Sequence, residues 1–476
     1  MVVGSLTVDV DVAVIGAGPG GYVAAIRLAQ LGKNVALVEQ EKELGGICLN
    51  HGCIPTKALI HASNFFAAIK DLEAVGIHVK EYSVDMPKMK AWKDGILAKL
   101  NSGIKTLCDK YGIEVLEGKG VFKSSTELRI EGKSDINTIR FKNAVIATGS
   151  LPIELPAFPF SHPKIMDSSK ALQLDEIPKR LAVVGGGYVG TEMGTVYAKL
   201  GSEVHIIERA PRLLSTLDAE LALLCAKKLQ ELGITIHTNT LVEGIVDKDG
   251  KTFVRVEVEG KEQLMETDKV FVVVGRRPNS QDLGLENTKV KLDGKGFIVV
   301  DKSMRTTDPA IFAIGDVVGQ PMLAHKASRE AKVAAEVISG LPAAFDNKVI
   351  PYVVFNDPEI ASVGMTEDEA KAKGHDIVVG KFPFSALGRA LTLNHTEGFV
   401  KWVAEKSTGV ILGMHCIGPG ASDIVSEATL AIEMGATLED VALTIHPHPT
   451  LPESLMEAAE VTLGKGIHIF SPMKKG

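Results

Sequence analysis

One sequence unit occurs twice in the chain, and it limits the possible fold more than any other feature. In its first copy, a β-branched run at residues 10–15 leads into the glycines Gly16, Gly18 and Gly21, followed by an apolar helical pattern. A second strand pattern then ends in Glu39. This order predicts a Rossmann-like unit, in which bare backbone lets a pyrophosphate approach a helix N-terminus and the acid binds a ribose diol.

The second copy begins 169 positions later. Residues 181–184 form the strand pattern, Gly185, Gly187 and Gly190 form the glycine motif, and Glu208 ends the next strand. Both copies keep every diagnostic position, so we expect two bound dinucleotides rather than one ligand and a decayed repeat.

The acid of the second copy also indicates which coenzyme binds there. A carboxylate at the position of Glu208 binds a free 2′-hydroxyl and repels a 2′-phosphate, which favours NAD over NADP. The nearby Arg209 and Arg212 would weaken this preference if they faced the coenzyme, and the alternative is that both face solvent.

A pair of cysteines, Cys48 and Cys53, closely follows the first unit. Pro55 suits the first turn of a helix, which places Cys53 at or just before a helix N-terminus, where the peptide dipoles favour a thiolate. Lys57 would share that helix face one turn later. These features favour a redox dithiol beside a flavin in the first unit, with NAD in the second; two buried core cysteines are the alternative.

A histidine near the C-terminal end has the features of a general base. Pro447 and Pro449 hold His448 out of helical geometry, and Glu453 is predicted to open a helix five residues later. A histidine oriented by a carboxylate is typical of a tuned base, and a structural histidine is the alternative. Disulfide exchange at the dithiol would require such a base.

Charge and cysteine usage narrow the classes of function. The net charge of −7 argues against a nucleic-acid or anionic-membrane partner. Apolar runs such as 270–274 are too short to span a bilayer, and residues 1–5 show no signal or transit pattern, which predicts a cytoplasmic or already processed matrix protein. Cys108, Cys225 and Cys416 are predicted core thiols, and no cysteine–histidine spacing predicts a metal site.

The chain resembles the flavin-dependent pyridine nucleotide–disulfide oxidoreductases over nearly its whole length. Within that family it is most similar to the members that oxidise dihydrolipoamide with NAD in 2-oxoacid dehydrogenase complexes. The resemblance is carried by the runs Gly45-Gly46-Ile47-Cys48-Leu49-Asn50-His51-Gly52-Cys53-Ile54-Pro55-Thr56-Lys57, Ala147-Thr148-Gly149-Ser150, Gly315-Asp316 and His448-Pro449-Thr450.

The resemblance implies an α/β fold with two Rossmann-like domains and a C-terminal α+β interface domain. Its implied regions are an FAD domain at 1–150, an NAD domain at 151–279, a central domain at 280–349 that completes the FAD site, and the interface domain at 350–476. It also implies a homodimer. The implied partner is the lipoyl domain of a 2-oxoacid dehydrogenase acyltransferase or of a glycine-cleavage carrier protein.

Site roles follow from the same resemblance. Cys48 would be the interchange thiol that meets lipoamide, and Cys53 the thiolate against the flavin. His448 of the partner subunit, oriented by Glu453, would be the base. Further FAD contacts would come from Lys57 (paired with Glu192), Gly120, Thr148, Gly149, Ser150, Asp316, Met322, Leu323, Ala324 and His325. Further NAD contacts would come from Gly275, Val242 and Tyr188, the last as an aromatic gate.

Other members of the family are alternatives. Glutathione-type reductases share the dithiol but use NADPH, which Glu208 disfavours. Mercuric reductase and high-molecular-weight thioredoxin reductase would carry C-terminal cysteines, which residues 471–476 lack. A soluble transhydrogenase or diaphorase typically lacks one cysteine of the pair, and a non-enzymatic scaffold would leave the dithiol unexplained. His51 departs from the family pattern; we hypothesise that its charge modulates the thiolate, and the alternative is an exposed loop side chain.

Overall fold

The computed structural model describes residues 6–132, 136–258 and 260–470. The expectations about residues 1–5 and 471–476 lie outside this part of the chain. Among the helices within it, none is both long enough and apolar enough to cross a membrane.

The first glycine unit forms the centre of a seven-stranded sheet. The first strand of the chain pairs in parallel with the second and the sixth strands of the chain. The glycine loop therefore lies at the carboxyl end of a buried strand. The elements of this part are β1 (Leu6–Ile15), α1 (Pro19–Gln30), β2 (Val35–Glu39), α2 (Gly46–His51), α3 (Cys53–Ala68), a 3₁₀ helix (Ile69–Val75), α4 (Met86–Lys110), β3 (Glu114–Glu117), β4 (Lys119–Ser124), β5 (Glu127–Glu131) and β6 (Ile136–Ile146).

The stretch between the dithiol and β3 is less continuous than its sequence predicts. The charged helical pattern of residues 60–110 predicts helix throughout this range, but residues 76–85 lie in no helix. The break begins at Gly76, whose φ of 82° lies in the left-handed region that ends helices. It ends at Asp85, whose side chain accepts a hydrogen bond from the Lys88 amide and caps α4.

The second glycine unit builds a separate five-stranded sheet, in the order β11-β10-β9-β15-β8. A three-stranded antiparallel sheet follows its first four strands, with a hairpin turn at Asp249 and Gly250. The elements are β7 (Ser150–Pro152), β8 (Ile165–Met166), α5 (Ser168–Gln173), β9 (Arg180–Val184), α6 (Tyr188–Lys199), β10 (Glu203–Ile207), α7 (Ala219–Glu231), β11 (Thr235–His237), β12 (Leu241–Lys248), β13 (Lys251–Val258), β14 (Lys261–Thr267), β15 (Lys269–Val272) and β16 (Arg276–Pro278).

The next segment returns to the first sheet. It contains a 3₁₀ helix (Leu285–Asn287), β17 (Ile311–Ala313), a second 3₁₀ helix (Gly315–Val318) and α8 (Ala324–Ile338). β17 pairs in parallel with the end of β6, and α8 packs against α1. The carboxyl ends of β1, β2, β6 and β17 therefore meet at one edge, where parallel sheets bind ligands. The bounds of the four domains stay predictions.

The C-terminal part is an antiparallel sheet, in the order β18-β19-β22-β21-β20, covered by helices. Its core includes the fully buried Trp402, whose indole N–H donates to the Leu455 carbonyl at 2.9 Å. The elements are β18 (Tyr352–Val354), β19 (Ile360–Gly364), α9 (Glu367–Ala372), β20 (Ile377–Pro383), a 3₁₀ helix (Phe384–Ala386), α10 (Gly388–Leu393), β21 (Phe399–Glu405), β22 (Ile411–Ile417), α11 (Ala421–Met434), α12 (Leu438–Leu443) and α13 (Glu453–Thr462). The predicted α/β fold with a C-terminal α+β region is confirmed.

Candidate active site

A cavity of about 560 Å³ lies where the two glycine units face each other. It brings together the dithiol and most of the positions that the sequence assigns to the flavin. The predicted residues that line it are Gly16, Gly18, Glu39, Cys48, Cys53, Lys57, Gly120, Thr148, Gly149, Ser150, Tyr188, Glu192, Asp316, Met322 and Ala324.

Other predicted residues do not line this cavity. Val242 lies on β12 and packs against the core of the second sheet. The His325 ring bonds the Pro351 carbonyl at 2.9 Å and so faces the C-terminal part of the chain. The predicted residues outside the cavity lining are Gly21, Gly185, Gly187, Gly190, Glu208, Val242, Gly275, Leu323, His325, His448 and Glu453.

The first glycine loop has the shape that a dinucleotide requires. A Cβ on Gly16 would overlap the carbonyl of Ala147, and one on Gly21 would overlap the carbonyl of Gly16. A Cβ on Gly18 would meet nothing, because Gly18 caps α1 and faces open space. Two glycines thus permit the tight turn and the close helix–strand packing, and the third leaves the helix N-terminus open to a pyrophosphate. The residues present fit FAD.

The second loop repeats this arrangement. Gly185 has a φ of 114°, and a Cβ there would overlap the Val273 carbonyl. A Cβ on Gly190 would overlap the carbonyl of Gly185, whereas Gly187 caps α6 and faces open space. Gly185 thus permits the tight turn, Gly190 permits the close helix–strand packing, and Gly187 leaves the helix N-terminus open. The loop therefore fits a second dinucleotide.

The two cysteines belong to consecutive helices. Cys48 lies in α2, and Cys53 is the first residue of α3, as predicted. Both are free thiols in the structure. The hydrogen bond between them lowers the pKa of Cys53 and raises that of Cys48, and the charge of Lys57 lowers the pKa of Cys53 further. Cys53 is therefore the more acidic thiol of the pair, and Cys48 keeps its proton to higher pH.

Lys57 is held beside the dithiol by a buried acid. Its ammonium lies 2.9 Å from Oε2 of Glu192, whose side chain is only 2% exposed. Glu192 projects from α6 of the second unit, so this ion pair joins the two halves of the cavity. The paired ammonium offsets the cost of burying this carboxylate.

Three polar side chains that line the cavity are linked by hydrogen bonds. Ser150 Oγ donates to Asp316 Oδ2 at 2.5 Å, and Arg276 Nε donates to Ser150 Oγ at 2.7 Å. The sequence reasoning assigned no role to Arg276 or to Asn279, although both line the cavity. The position of Arg276 in the sequence could have indicated its role. This cation lies two residues after the strand pattern at residues 270–274, and such sheets bind ligands at the carboxyl ends of their strands.

Tyr188 and His51 also line the cavity. Tyr188 is the first residue of α6, and its ring meets the Tyr352 ring edge-on at 5.8 Å. Burial raises the pKa of Tyr188 to about 12, so its hydroxyl stays protonated. His51 ends α2 and is exposed, at i+3 from Cys48 on that helix.

The predicted contact between the base His448 and the carboxylate of Glu453 is formed, but it lies outside the cavity. His448 Nδ1 lies 2.9 Å from Glu453 Oε1, and the other carboxylate oxygen accepts from the Thr450 amide at 2.7 Å. Glu453 opens α13, as predicted. The His448 side chain is 76% exposed and does not line the cavity of its own chain. Its free Nε2 is thus available to a group outside this chain.

The isolated cysteines are core residues, as predicted. Cys108, Cys225 and Cys416 are all buried, and burial raises the pKa of Cys108 and of Cys225 to about 11. Thiols with such values are protonated and inert at neutral pH, so redox chemistry is left to Cys48 and Cys53.

Two family models match most of the chain. A model described as pyridine nucleotide-disulphide oxidoreductase matches residues 10–331, and the dimerisation domain of the same family matches residues 350–459. The chain belongs to this family. Pyridine nucleotide-disulphide oxidoreductases use FAD and NAD, so the predicted cofactors are confirmed. The dimerisation domain supports the predicted homodimer.

Individual members of the family are similar over almost the full length. A protein named dihydrolipoyl dehydrogenase from Geobacillus stearothermophilus is 50% identical over 471 residues, which cover 99% of this chain and 100% of the relative. One of the same name from Bacillus subtilis is 48% identical, with 98% and 100% coverage. The crystal structure of LpdA from Mycobacterium tuberculosis has a TM-score of 0.88 at 26% identity, covering 94% of this chain and 99% of that one. The HOCl-induced flavoprotein disulfide reductase RclA from Escherichia coli has a TM-score of 0.85 at 29% identity, with 94% and 99% coverage.

Proposed function

We propose that this chain is a dihydrolipoyl dehydrogenase, which oxidises dihydrolipoamide to lipoamide and reduces NAD to NADH. The observation that carries the proposal is a cavity lined by the dithiol, by the first glycine loop and by α6 of the second unit, in which Cys53 is the more acidic thiol and Cys48 the less acidic one. The relatives that are about half identical over nearly the whole chain bear that name.

The chain's own residues account for the sulfur exchange. In the oxidised enzyme the two cysteines form a disulfide, and His448 takes a proton from one substrate thiol. The resulting thiolate attacks Cys48, and the Cys48–Cys53 bond breaks to leave Cys53 as a thiolate. The second substrate thiol then displaces Cys48, which leaves as a thiol with a proton. The substrate is oxidised by two electrons and the enzyme disulfide is reduced by two.

The cysteine pKa values suit these two roles. A low pKa makes Cys53 the better leaving group in the first exchange, and the adjacent Lys57 stabilises its charge. A raised pKa lets Cys48 keep its proton when it leaves. The chemistry that FAD supplies when bound is acceptance of the electron pair and its delivery to NAD as hydride.

The cofactors would be held by the two glycine units. Gly18 and Glu39 of the first unit would bind FAD, with Asp316 at the adjoining strand end. Gly187 and Glu208 of the second unit would bind NAD. The carboxylates of these units would accept hydrogen bonds from ribose hydroxyls.

The base must come from a second copy of the chain. His448 is outside the cavity of its own chain and largely exposed, whereas the dithiol it would serve lies inside that cavity. In the homodimer, His448 of the partner subunit would therefore approach Cys48. Glu453 fixes the ring and stabilises the imidazolium that forms.

An anaerobic assay tests the activity directly. The purified protein should be yellow, should reduce NAD with dihydrolipoamide, and should show little turnover of glutathione disulfide with NADPH. Activity with the second pair of substrates alone would contradict the proposal and favour a glutathione-type reductase.

We further propose that the natural substrate is a lipoyl group carried by a partner protein. Lipoylated domains from a 2-oxoacid dehydrogenase acyltransferase and from a glycine-cleavage carrier protein should be oxidised at a higher kcat/KM than free dihydrolipoamide. Equal values for all three would contradict a protein-bound substrate. The cytoplasmic location stays a prediction.

A further inference from the structure

Phe355 connects the C-terminal part of the chain to the dithiol. Its ring lies 4.6 Å from the ammonium of Lys57, measured to the ring centroid. Its backbone amide donates to Glu192 Oε1 at 2.8 Å, on the carboxylate whose other oxygen pairs with Lys57. One residue just after β18 thus contacts both members of an ion pair contributed by α3 and α6.

We propose that Phe355 is a positioning residue, which holds the Lys57 ammonium beside the dithiol through its aromatic face. Its ring acts through Lys57 rather than on either cysteine directly. This role in turnover rests on the proposed function, whereas the position of the ammonium does not depend on the substrate.

The ring is needed because the carboxylate alone leaves Lys57 partly free. Glu192 holds the ammonium through one carboxylate oxygen, at 2.9 Å. A flexible four-carbon side chain that is held at one oxygen samples other rotamers. An aromatic face attracts the ammonium electrostatically and so restricts these rotamers.

The position of Lys57 matters for Cys53 because few charges act on that thiol. The groups whose charges act on it include Cys48 from α2, Lys57 from its own helix, and Glu192 and Tyr188 from α6. Lys57 is the cation among them. If it moves towards solvent, the remaining groups include a carboxylate that opposes the thiolate, and the thiolate is less stable.

A titration of Cys53 measures this effect without turnover. The parent for the experiment is the Cys48→Ser holoenzyme, which keeps a hydroxyl next to Cys53 and leaves a single thiol in the cavity. The ultraviolet absorbance of the thiolate is followed against pH. The buried Cys108 and Cys225 have pKa values of about 11, and burial also raises that of Cys416, so their ionisation is separated from that of Cys53.

Three substitutions are compared in that parent. Phe355→Leu removes the aromatic face but keeps the backbone amide that binds Glu192, and Phe355→Tyr keeps the face. Phe399→Leu is the matched control, because Lys381 lies 5.5 Å from the Phe399 ring on β21, away from the cavity. FAD content of each purified variant reports folding.

We expect Phe355→Leu to raise the Cys53 midpoint by about 0.5 pH unit, which converts to about 0.7 kcal/mol and matches a partly exposed cation–π contact. Phe355→Tyr and Phe399→Leu should leave it unchanged. With Cys48 intact, Phe355→Leu should lower kcat several-fold while the KM for NAD is unchanged. An unshifted midpoint in Phe355→Leu, or an equal shift in Phe355→Tyr, overturns the inference. A shifted midpoint in an enzyme that does not oxidise dihydrolipoamide would leave this inference intact and refute the proposed function instead.

Discussion

Glu39 and Glu208 hold the same position in the two copies of one structural unit. Glu39 Oε2 accepts a hydrogen bond from the Ala17 amide at 2.7 Å, and Glu208 Oε2 accepts one from the Gly186 amide at 2.6 Å. Each carboxylate is thus fixed to the loop between the first two glycines of its own motif. The two acids that are predicted to bind ribose are thus held in place by hydrogen bonds within the chain itself.

Loss of this carboxylate in the second unit should change the choice of coenzyme. In Glu208→Ala we expect the KM for NAD to rise about tenfold, the value of one charged hydrogen bond, and the preference over NADP to fall by a similar factor. Steady-state kinetics with both coenzymes check this. Glu203→Ala, at the exposed start of the same strand β10, is the control and should behave as the parent. An unchanged NAD/NADP ratio in Glu208→Ala would exclude the assignment of this acid to the ribose.

The dithiol should be separable from flavin binding. Cys48→Ser should reduce lipoamide turnover by at least about 10³-fold, because serine cannot form the disulfide that exchange requires. FAD should stay bound, and NADH should still bleach its absorbance. The control is Cys108→Ala, which alters a thiol buried in the hydrophobic core against the first sheet and should retain turnover. Substantial lipoamide turnover in Cys48→Ser would place the chemistry on other residues.

The charge of Glu453 should matter more than its hydrogen bond. Glu453→Gln keeps an acceptor for His448 but no longer stabilises the imidazolium, so we expect kcat to fall about 10²-fold. Glu427→Gln is the matched control, since Glu427 forms the same kind of contact with His446 at 2.9 Å. Equal kcat values for the two variants, measured at several pH values, would show that Glu453 has no special role.

An ion pair at the amino ends of β9 and β15 should make stability depend on pH. The hydrogen bond from the Arg180 side chain lowers the pKa of Asp268, whose carboxylate lies 2.9 Å from that guanidinium. A pKa that is lower in the folded state means that the ionised carboxylate stabilises the fold. The stabilisation is therefore complete above the unfolded value of 3.8 and is lost as pH falls through the folded value.

Asp268→Asn should accordingly lower Tm near neutral pH by a degree or two, about 1 kcal/mol or less, because the pair is about one-third exposed. The difference from the parent should shrink as pH falls below the unfolded value. Calorimetry at a series of pH values measures it. Asp249→Asn, in the hairpin turn between β12 and β13, should show no such dependence. A constant Tm difference across the acid range would contradict the linkage.

The sequence alone predicted the parts of the molecule that depend on local backbone geometry. The glycine units follow from turns that a side chain would block, as at Gly16 and Gly185. Cys53 begins a helix because glycine precedes it and proline suits the first turn. The helical reading of residues 60–110 was too long, since the left-handed Gly76 interrupts it.

The tertiary structure decided which distant side chains meet. Lys57, Glu192 and Phe355 come from three separate stretches of chain, and no periodicity in any of them specifies the other two. The position of Arg276 beside Ser150 likewise depends on how β16 pairs with β7. The sequence by itself determined where a dinucleotide and a thiolate fit, because backbone freedom and helix ends are local. Only the packing of sheets and helices decided which charges surround that thiolate, because electrostatic interactions depend on distances through space.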